Sequence, residues 1–163
     1  MKIRLAEIGD LSRINDIYNT FVEKSTATFD TQPTSIEQRE EWFAQHGGIY
    51  PVLVAEEKEV MGWGSLSPFS QRPAYRFTVE HSIYVAEEYQ RQGIGTRLLE
   101  ELMARAIEGG FHTMVARITG ENQASVNLHK KYGFEQVGLL KEVGYKFGRW
   151  LDVIYMQKIL SRG

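Results

Sequence analysis

Apolar residues recur along this chain with two different periods, and the switches between them outline its elements. Ile3-Arg4-Leu5-Ala6 alternates like a short strand. Leu11, Ile14, Tyr18 and Phe21 then share one face of a helix, with Asp10 placed to cap it. Residues 23–34 are polar and β-branched and read as a loop; a second helix is expected over about 36–45, before Gly47-Gly48. Apolar runs at 51–55 and 60–66 flank the charged turn Glu56-Glu57-Lys58-Glu59 as a hairpin. Gly62 and Gly64 weaken the second run and signal a bulge or the close approach of another segment. A long strand is expected over about 75–85, then a helix over 93–108 with Ile94, Leu98, Leu102 and Ile107 on its apolar face. A strand at 113–118, a helix at 123–132 stopped by Gly133, and strands at 134–143 and 150–158 complete the order. That order predicts a mixed α/β (α+β) layered domain, not a regular doubly wound one.

Composition narrows the function. A chain of 163 residues fits one domain, 1–163, and can bury a core without metal or disulfide staples. A net charge of -2 offers no basic field, so no nucleic-acid partner is expected. Without cysteine there is no disulfide, thiolate metal site or cysteine nucleophile. The histidines have no metal-site spacing, so no metal is expected, and His46, His81 and His112 read as bystanders. No run approaches the roughly 18 apolar residues of a membrane span. Glu7 and Asp10 arrive too early for a secretion signal, so a cytoplasmic location is expected.

The most informative stretch runs from the end of the long strand into the next helix: Ser82-Ile83-Tyr84-Val85, then Gln90-Arg91-Gln92-Gly93-Ile94-Gly95-Thr96. A strand feeds a loop, and two glycines open an amphipathic helix. The first turn of a helix has unpaired N–H groups and a positive dipole end, which suits a phosphate. Leu98 stands where a dinucleotide fingerprint needs its third glycine, and the Gly-Lys-Ser/Thr of a Walker loop is missing. Gln90-x-x-Gly93-x-Gly95 resembles the signature of the GNAT superfamily, and Asn122-x-x-Ser125 with Tyr132-Gly133-Phe134 resembles its second motif. The resemblance runs over nearly the whole chain. It implies a twisted, mostly antiparallel sheet flanked by helices, acetyl-CoA as co-substrate and a homodimer. It also implies that Ile83, Tyr84, Val85, Gln90, Arg91, Gln92, Gly93, Ile94, Gly95, Thr96, Asn122 and Ser125 bind the cofactor.

Where most of the superfamily has a tyrosine that protonates the departing thiolate, this chain has His129. That substitution, with Thr28-Phe29-x-Thr31-x-Pro33, Tyr75-Arg76-Phe77-Thr78-Val79-Glu80 and Gly148-x-Trp150-x-Asp152, resembles the phosphinothricin N-acetyltransferase branch, which also accepts methionine sulfone and sulfoximine. The resemblance points to a small amino-acid-like amine as partner, and to Phe29 beside it. Strand alternation puts Arg76, Thr78, Glu80, Ser82 and Tyr84 on one face. Arg76 and Thr78 are therefore acceptor-binding candidates, with Arg76 forking onto a carboxylate. Glu80 is the candidate base, about 13–14 Å further along, so a small substrate does not bridge the two directly, and either Glu80 works through water or the strand bends. His129 either assists it or protonates the thiolate. The bland readings are an Arg–Glu pair on a solvated face and a packing histidine. Trp150 and Tyr155 read as core, and Asp152 as structural. Rival functions are an acetyltransferase for a protein amino terminus or polyamine, and a non-catalytic acyl-CoA sensor.

Overall fold

The computed structural model describes residues 1–160. β1 (Lys2–Leu5) forms on the predicted alternation and is followed by a short 3-10 turn at Ile8–Asp10. Asp10 does not cap the next helix. Its carboxylate takes the Glu7 N–H at 2.7 Å and the Arg4 guanidinium at 2.8 Å, closing the turn before α1 (Leu11–Lys24). Ser35 caps α2 (Ile36–Ala44) by accepting from Gln38 N–H at 3.1 Å. β2 (Val52–Glu56) and β3 (Val60–Pro68) form the expected hairpin. They are followed by β4 (Thr78–Val85), α3 (Ile94–Glu108), β5 (Thr113–Thr119), α4 (Gln123–Lys131), β6 (Glu135–Lys146) and β7 (Arg149–Ile159).

One seven-stranded sheet runs β1-β2-β3-β4-β5-β7-β6. Only the β4–β5 pair is parallel. The two faces of β2 explain its unbroken apolar run. Val52 and Val54 join Ile14, Ile17, Tyr18 and Trp63 under α1 and α2, while Leu53 and Ala55 join Leu98, Leu99 and Leu102 of α3. Gly62 sits at a bulge, where β2 pairs Ala55 with Gly62 but Glu56 with Val60, and Gly64 serves a close approach. A Cβ at Gly64 would meet Leu102 Cδ1 at 2.9 Å and Ser82 O at 3.0 Å.

Two expectations are corrected. The long strand starts at Thr78, because Pro73 opens a 3-10 turn over Pro73–Tyr75 and Arg76 adopts a helical conformation after it, its N–H on Pro73 O at 3.1 Å. Trp150 is not core: it is 63% exposed, packed at a tilt against Tyr145 across the outer hairpin. That hairpin turns at Phe147 and Gly148, both with positive φ (54° and 74°), as a two-residue loop matching strand twist requires. Asp152 is structural as expected, accepting the Glu142 N–H at 2.8 Å where β6 bulges. Lys146 of β6 reaches across to the Ser25 and Thr28 carbonyls at 2.7 and 2.8 Å, fixing the loop after α1 over the sheet.

Candidate active site

β4 and β5 pair at only three positions, Thr78↔Thr113, Val79↔Met114 and Glu80↔Val115, although β4 continues to Val85 and β5 to Thr119. Beyond Glu80 the strands part. β4 stays fully paired with β3 along its other edge, so its β5-facing edge is open. The Ala86 N–H donates to Met61 O at 2.9 Å, and alternation then turns the backbone of Tyr84 and Ser82 toward β3 and that of Ile83 and Val85 into the opening. The Val85 carbonyl is taken there by Gln90 Nε2 at 3.2 Å. The free N–H groups of this edge belong to Ile83 and Val85. The Tyr84 ring instead packs between Tyr18, Phe21 and Trp63 at 5.1–5.2 Å.

The glycine loop comes next in the chain. Gly93 caps α3 with φ +82°, a conformation that glycine adopts without strain, and Arg91 precedes it at φ +63°. The first helical bond is Arg97 N–H to Gly93 O at 3.1 Å, which leaves the N–H groups of Ile94, Gly95 and Thr96 without helical partners. The Ile94 side chain is buried in the core, so only its backbone can serve a ligand. A Cβ at Gly95 would touch only Val85 Cγ2, at 3.8 Å. Beside the loop lies a cleft of about 490 Å³ lined by Phe21, Lys24, Val85, Gln90, Thr119 and Asn122. Asn122 caps α4, its side-chain carbonyl accepting the Ser125 N–H at 3.2 Å. The buried Thr119 hydroxyl has no partner and lines the same cleft; nothing in its sequence context singled it out.

Where the strands part, Glu80 meets a residue that sequence reasoning missed. Arg117 on β5 forks onto its carboxylate, Nε to Oε1 at 2.8 Å and Nη2 to Oε2 at 3.1 Å. Burial pushes the Glu80 carboxyl up, and the Arg117 charge and hydrogen bond pull it back. His129 is buried. Its Nδ1 lies 2.7 Å from Ser125 O, and its Nε2 lies 2.8 Å from Nε2 of His81. His81 is therefore no bystander. A lone histidine on an otherwise apolar strand face was the available signal, and only the packing of α4 against β4 shows its use. With Nδ1–H of His129 donated to Ser125 O, its Nε2 accepts and His81 Nε2–H donates, leaving the buried His81 Nδ1 without a partner.

Burial lowers both imidazoles, His81 to about 3, with the neighbouring His129 adding to its shift; the Ser125 carbonyl partly restores His129. These shifts fix the sign of the effect on stability. The unfolded chain binds these protons near pH 6.5 and the folded chain does not, so stability is full above that pH and falls on acidification. Each ring adds up to about 1.4 kcal/mol per pH unit. Urea titrations between pH 7.5 and 5 should show this slope, and a shallower one in His81→Leu. Equal slopes would mean that the pair is not held neutral.

The structure does not bring Arg76 onto the strand face. It stacks on Phe77 at 4.6 Å, its Nη1 on Pro73 O at 3.2 Å, and is exposed. Thr78 opens β4 opposite Thr113. Phe29 lines a cavity of about 420 Å³ between β5 and the outer hairpin, and its ring covers Gly144 so closely that a Cβ there would overlap it. Among the described residues no group of three histidine, aspartate or glutamate side chains could hold a metal.

Residues 14–134 match the Acetyltransferase (GNAT) family. The chain belongs to that family and is an acetyl-CoA-dependent N-acetyltransferase. It is 42% identical over 160 residues to the L-methionine sulfoximine/L-methionine sulfone acetyltransferase of Pseudomonas aeruginosa, covering 95% of this chain and 92% of that one. It is 38% identical to the phosphinothricin N-acetyltransferase of Streptomyces coelicolor, covering 98% and 96%. Among solved structures it is similar to a GNAT superfamily phosphinothricin acetyltransferase from Sinorhizobium meliloti in complex with acetyl-CoA, with TM-score 0.96, 41% identity, and 99% and 89% of the chains covered.

Proposed function

We propose that this enzyme acetylates the amine of a small amino-acid-like substrate, such as methionine sulfone, methionine sulfoximine or phosphinothricin, by direct attack with both substrates bound. The observation that carries the reading is Glu80 at the point where β4 and β5 part, one carboxylate beside an open strand edge. Acetyl-CoA, when bound, supplies the acetyl thioester. The Gly93–Thr96 amides suit its pyrophosphate, with Gln90 and Asn122 lining the adjacent cleft and Ser125 the smaller one beside it; Arg91 and Gln92 come with the glycine loop they belong to. Glu80 takes the proton from the acceptor's ammonium through water, since Arg117 already occupies its oxygens. The Ile83 and Val85 N–H groups face the opening where a carbonyl oxygen gains charge. The proton taken through the water at Glu80 goes back to the departing thiolate, and His129, with Nδ1 on Ser125 O and Nε2 on His81 Nε2, either assists the first transfer or relays the second.

Mixing the purified protein with acetyl-CoA and a panel of amines, and monitoring thiol release, tests this directly, because the chain has no cysteine to contribute background. Turnover of the amino-acid analogues supports the reading. Turnover of spermidine or a peptide alone replaces the acceptor, and tight acetyl-CoA binding without turnover of any amine turns the protein into a sensor. The same reading carries a cytoplasmic homodimer. Leu139, Leu140, Val143, Tyr145 and Trp150 are exposed along the outer β6–β7 hairpin, apolar surface that a second copy would cover. Sedimentation should return twice the chain mass, and Val143→Lys should halve it; a wild-type monomer would refute the pairing.

A further inference from the structure

Arg39 on α2 is 4% exposed and lies against three aromatic rings, 4.7 Å from the centroid of Tyr18, 4.6 Å from Trp42 and 5.5 Å from Trp63. Its one side-chain hydrogen bond among the described residues runs from Nε to Asn15 Oδ1 at 3.2 Å. No carboxylate among the described residues pairs with it. Burial pulls the guanidinium down from its ordinary range. A buried cation without an anionic partner is costly, since buried charges are ordinarily paired.

The place for that anion is open. Arg39 lines a cavity of about 300 Å³ whose floor is one face of the β3–β4 pair: Trp63, Ser65, Ser67, Ser82 and Tyr84. The register pairs Trp63 with Tyr84, Ser65 with Ser82 and Ser67 with Glu80. Glu80 is thus the sixth position of the same face, across from Ser67 and about 7 Å along the strand from Ser82. The buried Trp63 Nε1–H has no partner among the described residues, a second unmet donor in the residues that form this cavity. The single carboxylate lining it, Asp30, is engaged by the Tyr18 hydroxyl.

We infer that Arg39 is the carboxylate anchor of the acceptor site: a zwitterionic α-amino acid occupies this cavity with its carboxylate on the guanidinium and its amine toward Glu80. Arg39 packs against Trp63, and the Ser65–Ser82 pair separates Trp63–Tyr84 from Ser67–Glu80, so the amine meets Glu80 through the same intervening water as in the proposed reaction. A planar fork matches a carboxylate in two hydrogen bonds, and the surrounding rings hold the fork in place. The inference rests on the proposed acceptor class and narrows it to substrates with a free α-carboxylate, which neither a polyamine nor the amino terminus of a longer peptide carries beside its amine.

The test pairs a substrate change with a protein change. With wild-type enzyme, replacing L-methionine sulfone by its carboxamide should raise the acceptor KM on the order of 10²-fold, the cost of losing two charge-assisted hydrogen bonds. Arg39→Lys should raise the KM for L-methionine sulfone about 10-fold and Arg39→Met more, with the KM for acetyl-CoA unchanged as the check on folding. The variants should no longer distinguish acid from amide. Fluorescence of Trp42 and Trp63 gives a readout free of turnover. Quenching by the acid and not the amide would uphold the anchor even if no acetyl transfer occurred, and would then count against the proposed reaction alone. Equal KM for acid and amide in the wild type, or no binding of either, would overturn the anchor.

Discussion

Glu80→Gln is expected to lower kcat/KM by about 10²–10⁴-fold while leaving acetyl-CoA affinity intact, the range for removing one proton-transfer group. The amide keeps the size of the side chain and can still meet Arg117, so the sheet should not change; only the ability to accept a proton is lost. The pH profile separates this role from a structural one. In the wild type the acid limb should lie above the ordinary glutamate range, because burial raises Glu80. Arg117 opposes that rise through its charge and its hydrogen bonds at 2.8 and 3.1 Å. Arg117→Met should therefore move the limb to still higher pH, with the plateau rate much less affected. A Glu80→Gln enzyme with an unchanged rate would remove the carboxylate from the mechanism, and an unmoved limb in Arg117→Met would mean that the limb reports another group.

The second large effect concerns stability. Leu102 is fully buried under the sheet, and Leu102→Ala should cost about 2–5 kcal/mol, transfer and cavity together. Gly64→Ala should cost about 1–3 kcal/mol by overpacking, since its Cβ would meet both Leu102 Cδ1 and the Ser82 carbonyl. In the double variant the Leu102 clash is gone and the added methyl fills part of the cavity. The two costs should then fall short of additivity by roughly 0.5–3 kcal/mol. The backbone contact with Ser82 O remains, so full rescue is not expected. Chemical denaturation of the four proteins measures this. Additive losses would mean that the strand shifts to make room for the methyl.

The pH slope of the His81–His129 pair and the apolar hairpin face reach the same molecule from other sides. Both depend on contacts between segments far apart in the chain: 48 residues separate the two histidines, and the face joins side chains from two strands.

Local chemistry made much of this legible in advance. Period-two and helical spacing marked all seven strands and four helices, because each buries one face or both against a layer beside it. The glycine loop was legible because the helix start at Gly93 needs φ +82°, and the free amides behind it come from the helix itself. Glu80 stood out as a carboxylate on the polar face of the long strand, and His129 only through the resemblance, as the residue standing where most of the superfamily has a tyrosine. What the sequence could not carry was proximity. Arg117 reaches Glu80 only through the parallel register of β4 and β5, His81 reaches His129 only because α4 packs over β4, and Arg39 enters its cage of rings from a helix that looks solvated in sequence. The Arg76 assignment failed for a related reason: it assumed that alternation ran on through residue 76, where Pro73 had already turned the chain. Periodicity reports which face a side chain occupies within its own element. Which charge it meets there is set by the packing of elements against one another, and that is decided only in the folded chain.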